Sequence, residues 1–306
     1  MTHRVSIVVA TKDRPSDLRR LLASLATQRR QPDQIVIVDA SSQPQSGIVR
    51  EFPVLRTDYI RHWPPSAAAQ RNAGIRACDP SSTLIAFADD DTEFEPDAFA
   101  AMLRFWDSAS DDVLGASFNI RNYRLSGTQR LKRGRIAAAL GLYSARPGGV
   151  APSGWQSITG QVSQTEFVEW LPSGAAVWRR DVLHQHVFDE YFDSYSYLED
   201  LDLSYSIHRK GRLAIVSAAG YSHFPSLGGR VSSRHFGRVE VRNRLYFVRK
   251  HHLSFFRCLL GMLIRFSLTI FAAVTTRDRN MLARAIGNIE GLLAFSGRSA
   301  RKVISA

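Results

Sequence analysis

The chain has 306 residues, 44% of them hydrophobic, and only two cysteines, Cys78 and Cys258. That is enough apolar material for a large core, too few cysteines for a disulfide framework, and a usage suited to a reducing compartment. The formal net charge of +12 sits at one end, because residues 229–306 hold 15 Lys plus Arg against Glu240, Asp278 and Glu290 while the first 228 residues balance. A basic excess of this kind suggests an appendage that meets an anionic surface, either nucleic acid or anionic lipid.

The opening MTHRVSIVVATKDRP has an apolar run too short for a signal-peptide core, so the expectation is a chain that stays in the cytoplasm. Within it VSIVVAT (5–11) predicts a buried strand, a β-branched run bounded by polar residues. DRPSDLRRLLASLATQ follows with Leu18, Leu21, Leu22 and Leu25 at helical spacing, and QIVIVDAS (34–41) is a second buried strand ending at Asp39. Strand, helix and strand make a βαβ unit, and in such sheets ligands bind at the carboxyl ends of the strands. AAAQRNAGIRAC (67–78) reads as a helix, and LIAFADDD as another buried strand whose carboxyl end bears Asp89, Asp90 and Asp91. Asp39 and these three aspartates therefore belong on one rim. Adjacent carboxylates disfavour one another's ionisation, so the cluster calls for a bound cation, a nearby Arg or Lys, or open solvent. DAFAAMLRFW (97–106) resumes as helix, with Pro96 in its first turn.

From about 120 to 165 periodicity gives way to Gly, Ser, Arg and Pro, including KRGR and RPGGVAPSG, a composition expected for loops that shape an acceptor pocket. EFVEWLPSGAAVWRRDVL (166–183) predicts a strand, a turn and a helix start. SYSYLEDLDLSYSIHRKG (194–211) predicts a helix with acidic residues at its start and His208, Arg209 and Lys210 at its end, and RLAIVS (212–217) one more strand. In the tail, FFRCLLGMLIRFSLTIFAAVTT (255–276) is apolar but interrupted by Arg257 and Arg265, leaving uncharged runs of 7 and 11 residues around Arg265, short of the ~20 a bilayer span requires. MLARAIGNIEGLLAF (281–295) is amphipathic. Basic and apolar together, these segments are expected to lie in a membrane interface, or else to pack on the protein's own surface.

The opening VSIVVATKDRP, Asp39 after the second strand, AQRNAGI, AFADDDTEFEP, LPSGAAVWRRDVL and LEDLDLSYSIHRKG stand in this order and spacing. Together they resemble the family 2 inverting glycosyltransferases, over roughly residues 4 to 225. The resemblance implies an α/β fold of the GT-A type, a Rossmann-like mixed sheet flanked by helices. The expected domains are a transferase domain over 1–228, with a nucleotide-sugar half to about 115 and an acceptor half over 116–228, and a basic helical extension over 229–306.

The same resemblance implies roles for individual residues. Asp89 and Asp91 match the D-x-D positions that hold a divalent metal, manganese or magnesium, with Asp91 the more direct ligand and Asp89 nearer the ribose or a metal-bound water. A solvated acidic turn has the same composition. Asp90 is placed with the nucleotide-sugar contacts. Asp39 matches the aspartate that bonds the nucleobase, Thr11 and Arg14 lie on the first loop of that pocket, and Arg71 and Asn72 pass near ribose and diphosphate. Taken alone, Asp39 also suits a cap or turn, and Arg71 a surface ion pair. Asp200 matches the base that deprotonates the acceptor hydroxyl, Glu199 the residue beside it that positions the acceptor or supports the loop, and Asp202 faces elsewhere. All three also suit a helix N-terminus. His223 matches a further metal ligand in some members. Trp155 and Trp170 are candidates for stacking on sugar rings, or for core packing. RVEVRNRLYFVRKHH (238–252) resembles an arginine-rich segment that could meet a lipid-linked pyrophosphate or anionic head groups.

The expectation is therefore a metal-dependent inverting transferase, taking a sugar from a nucleotide diphosphate to a glycan or lipid-linked acceptor of surface polysaccharide synthesis. It would work at the cytoplasmic face of the cell membrane, with no nucleic-acid partner. Two rivals stay open: a sugar-phosphate nucleotidyltransferase, although ATKDRPSDL lacks the glycines of a phosphate loop, and a non-enzymatic nucleic-acid binder using the basic tail.

Overall fold

The structure, a computed structural model, describes residues 3–123, 134–193, 196–226 and 231–303, with side chains described as far as residue 295. The chain forms two compact units, one of residues 1–126 and 158–229, the other of 127–157 and 230–306. The segment 127–157, expected in the acceptor half, thus clusters with the basic extension. The first half of KRGR and the start of SYSYLED lie outside the described residues.

The first unit is built on a nine-stranded sheet. Its strands are β1 (Val5–Thr11), β2 (Gln34–Asp39), β3 (Thr57–Arg61), β4 (Leu84–Asp89), β5 (Thr92–Phe94), β6 (Val113–Ile120), β7 (Glu166–Val168), β8 (Ala175–Arg179) and β9 (Arg212–His223). Their order is β3-β2-β1-β4-β8-β6-β9-β5, with β7 paired to β9. β3, β2, β1 and β4 run parallel, and β8 enters antiparallel beside β4, so the sheet is mixed. Period-two alternation divides the strand side chains between two cores. Ile7, Val9, Ile35, Ile37 and Ala86 face one side, under Leu18, Leu21 and Leu22 of α1 (Pro15–Ala26) and Phe99 and Met102 of α4 (Ala98–Ser108). Val8, Val36, Val38, Ile85 and Phe87 face the other, under Ile75 of α3 (Ala67–Ala77), Leu183 of α6 (Arg180–Gln185) and Leu203 and Ile207 of α7 (Glu199–His208). The short α2 (Ser46–Arg50) follows β2.

Burial on both faces explains the near-continuous apolar runs of the first strands. The same register fixes the rim, because Thr11 lies opposite Asp39 and Ala10 opposite Asp89, at the carboxyl ends of adjacent parallel strands. The helix expected over 194–211 is shorter than its pattern. It begins at Glu199, because Ser196 (φ 51°) and Leu198 (φ 78°) sit in the left-handed region and cannot continue a helical path.

The second unit contains α5 (Arg135–Ala139), α8 (Ser233–Lys250), α9 (Phe255–Thr276) and α10 (Arg279–Val303). α8 and α10 pack closely: a Cβ added at Gly237 would lie 2.2 Å from the Arg284 carbonyl, and one added at Gly287 would lie 2.0 Å from the Arg234 carbonyl. Arg284 and Arg265 both pair with the buried Glu240. Among the described residues α9 alone is long and apolar enough to cross a membrane by length and composition. Arg244, in the arginine-rich segment expected at the surface, is instead fully buried against Trp155.

Candidate active site

The strand ends deliver the acidic residues to a cleft of about 120 Å³ in the first unit, lined among others by Asp89, His223, Glu199 and Asp200. β4 ends at Asp89, whose N–H bonds the carbonyl of Gly174, the residue before β8. A Cβ at Gly174 would meet the Asp89 carboxylate at 2.8 Å, so only glycine lets the turn pass beneath it. β9 brings His223 opposite Thr92 of β5 and so beside the acidic turn.

One ligand atom from each of Asp89, Asp91 and His223 lies within 4.8 Å of the others, close enough for a single ion. Asp91 is held in place by His223 Nε2 on one oxygen (3.0 Å) and the Ser226 N–H on the other (3.1 Å). Burial opposes charge on both side chains, but their mutual contact prevails, lowering the Asp91 pKa and raising that of His223. Two carboxylates and an imidazole suit a divalent ion such as manganese that accepts both oxygen and nitrogen, and the set fits the expected metal position.

The second acidic pair opens α7. Glu199 Oε1 accepts from Arg71 Nη1 at 2.6 Å, and the other arm of Arg71 donates to Asp89 Oδ1 at 2.8 Å. Arg71 is thus neither a surface ion pair nor a ligand arm in solvent; it is buried and braces one acidic site against the other. Asp200 is held by backbone donors, the N–H of Leu201 (2.7 Å) and of Ser173. Burial and mutual repulsion raise the proton affinity of Glu199 and Asp200 as a pair, with Arg71 opposing. Asp202 is buried outside the cleft lining.

Several expected contacts are placed differently. Asn72, about 100° round α3 from Arg71, exchanges hydrogen bonds with the Phe188 backbone (2.9 and 3.0 Å) and bonds Glu190, so it anchors a loop and does not face the cleft. Asp90 is buried beneath the β1 loop, taking the Thr11 hydroxyl (2.7 Å) and Arg14 (3.0 Å), and burial pushes its pKa up to about 7 against Arg14. Thr11, Arg14 and Asp90 therefore form a brace that fixes the acidic turn, with Arg14 also 3.5 Å from Asp91. Asp39 has no exposed surface: it accepts from the Ser41 and Gln45 N–H groups, from Arg61 (3.0 Å) and from the Tyr59 hydroxyl. Despite burial these bonds hold it below the usual carboxylate range, and they shape the loop after β2. Trp155 and Trp170 are both buried, so neither offers a ring to a sugar.

Five cleft residues were not singled out from the sequence, Thr92, Pro172, Ser173, Gly174 and Tyr221. Ser173 is buried at the cleft wall, its hydroxyl without a hydrogen-bond partner among the described residues, and the buried Tyr221 lines the cleft near Asp89 and Asp91 with its pKa raised by burial. LPSGAA signalled a tight turn after a strand, but which partner would need the glycine depended on β8 lying next to β4.

Residues 6–161, half of the chain, match the family model described as Glycosyl transferase family 2. No curated protein matches the chain at the level of sequence. Among solved structures, it is similar to residues 1–349 of TarS from S. aureus in complex with UDP-GlcNAc (16% identity, TM-score 0.60, covering 95% of this chain and 80% of that one). Against a longer TarS structure the chain spans only 42% of the partner's length, with a TM-score of 0.54 and 85% of this chain covered. It is also similar to the mannosyltransferase PcManGT from Pyrobaculum calidifontis in complex with GDP-Man and Mn2+ (13% identity, TM-score 0.55, covering 94% and 88%). Sequence order, mixed sheet and rim agree with the GT-A architecture, and the chain belongs to glycosyl transferase family 2.

Proposed function

We propose that the protein is a metal-dependent inverting glycosyltransferase that takes its sugar from a nucleotide-diphosphate donor. The observation behind this reading is that one cleft is lined both by Asp89 and His223, which with the adjacent Asp91 make a three-ligand cation position, and by a separate carboxylate pair, Glu199 and Asp200. The donor complexes of TarS with UDP-GlcNAc and of PcManGT with GDP-Man and Mn2+ support the same class of ligand. A divalent ion held there would offset the charge of the departing diphosphate.

The two carboxylates differ in their partners. Glu199 is committed to Arg71 by a direct ion pair, whereas Asp200 is bonded by backbone N–H groups and feels Arg71 only through space, so Asp200 is the base that takes the proton from the acceptor hydroxyl. Glu199 keeps Arg71 in place, Arg71 keeps Asp89 turned to the cation position, and Ser173 offers its hydroxyl to the bound sugar or acceptor. The loop held by Asp39 forms the base pocket wall. The acceptor is a hydroxyl of a glycan or lipid-linked glycan, and residues 229–306 meet the anionic cytoplasmic face of the cell membrane. Exposed Phe256, Leu268, Phe271 and Val274 on α9 and Leu282, Ile286 and Leu293 on α10, among many arginines, favour an anionic lipid surface over nucleic acid.

The test is melting temperature against UDP, GDP, dTDP and CDP sugars with and without manganese, since a ligand bound to the native state raises it by mass action. A manganese-dependent rise with one nucleotide class is expected. No rise with any of them, in folded protein, contradicts the donor reading.

A further inference from the structure

The second unit contains a cavity of about 420 Å³ between α8, α9 and α10, unrelated to the acidic cleft of the first. Its walls are Val241, Leu259, Met262, Phe266 and Leu292, with Trp155 behind them. The size lies within the roughly 300–1,000 Å³ of small-molecule sites. A void with apolar walls excludes water and takes hydrocarbon. Leu263, Ile289 and Leu292 line it and are also 62%, 49% and 42% exposed, so its mouth opens on the apolar face of α9 and α10.

One edge of the cavity is charged. Glu240, Arg265 and Asn288 line it, and Arg265 (2.9 Å) and Arg284 (2.8 Å) share the single carboxylate of Glu240. Two guanidiniums against one carboxylate leave the edge net positive. Behind it the fully buried Arg244 stacks on Trp155, 4.2 Å from the ring centroid, and its Nε and Nη2 have no hydrogen-bond partner among the described residues.

We propose that this cavity takes one hydrocarbon chain of an anionic membrane phospholipid, with the phosphate at the Arg265 and Arg284 edge. An apolar bore with a positive edge complements that amphiphile, and a mouth on an exposed apolar face gives it direct entry from a bilayer. The site makes the extension a lipid receptor in addition to an interfacial anchor. This inference rests on the membrane-peripheral reading of residues 229–306.

The experiment incubates the full chain with vesicles of equimolar phosphatidylglycerol and phosphatidylcholine, sediments them, and counts the lipid retained on detergent-released protein by native mass spectrometry. Expected is one retained phosphatidylglycerol per chain, in preference to phosphatidylcholine. Met262→Trp, or the smaller change Leu259→Phe where the first does not fold, should abolish retention while vesicle sedimentation persists. Arg265→Gln should remove the preference between the two lipids. Sedimentation without retained lipid, equal retention of both lipids, or retention unchanged by either wall variant overturns the lipid site alone. Failure of the wild type to sediment overturns the membrane reading and the lipid site with it.

Discussion

Arg71 joins the two acidic sites, and its burial decides what its removal does. With both arms engaged at 2.6 and 2.8 Å, truncation would leave Glu199 desolvated and unpaired. Breaking such a buried pair costs about 3–5 kcal/mol, so Arg71→Met is expected to lower unfolding stability by about 3 kcal/mol in urea titration as well as to abolish transfer. A loss under about 1 kcal/mol would show that the brace is slack. For Asp200, the proton is held more tightly in the folded than in the unfolded chain, so its contribution to stability falls as pH rises through the carboxylate range. A base works only when deprotonated, so the acid limb of kcat/KM should lie above the ordinary Asp value of about 3.9. A limb at or below that value would point to another base. The role of Asp200 was implied by its place in LEDLDL, but the brace was not legible from sequence: Arg71 stands 18 residues from Asp89 and 128 from Glu199, and no local pattern encodes such partners.

At the scale of elements, the rim was legible because β1, β2 and β4 are buried on both faces and advertise themselves as apolar runs with an Asp at or just after their ends. The three-residue β5 and the half-exposed β3 lack that signature, and the antiparallel entry of β8 depends on pairing that no spacing reports. That pairing creates the need for Gly174. Gly174→Ala places a methyl against the Asp89 carboxylate, so manganese-dependent nucleotide affinity should fall about tenfold, with overpacking costing about 1–3 kcal/mol of stability. Unchanged affinity by calorimetry would show that Asp89 can move aside without consequence. Leu198 extends the point: a buried leucine at φ 78° holds backbone strain of about 1–3 kcal/mol at the turn that presents Glu199 and Asp200.

For the whole molecule, charge and apolar exposure are concentrated in the second unit, as the sequence totals implied. What totals could not show is which arginines face outward; Arg244 faces inward, and residues 127–157 join the tail across a long stretch of sequence. Association with phosphatidylglycerol vesicles should weaken but not vanish at high salt, because screening removes the electrostatic part and leaves the apolar contacts. Phe271→Gln with Leu268→Gln should reduce what remains at high salt, since both side chains are more than half exposed on α9. Complete loss of wild-type binding at high salt would mean that the helices touch lipid by charge alone.

The most direct measurement is made on Asp200→Asn, comparing its manganese-dependent nucleotide-sugar binding with its release of nucleoside diphosphate, water serving as acceptor. Expected is donor affinity close to wild type, a melting temperature no lower, and turnover reduced by about 10²-fold or more. Turnover near wild type, or donor affinity lost in parallel with it, would contradict a division of labour between the cation position at Asp89, Asp91 and His223 and the base at Asp200.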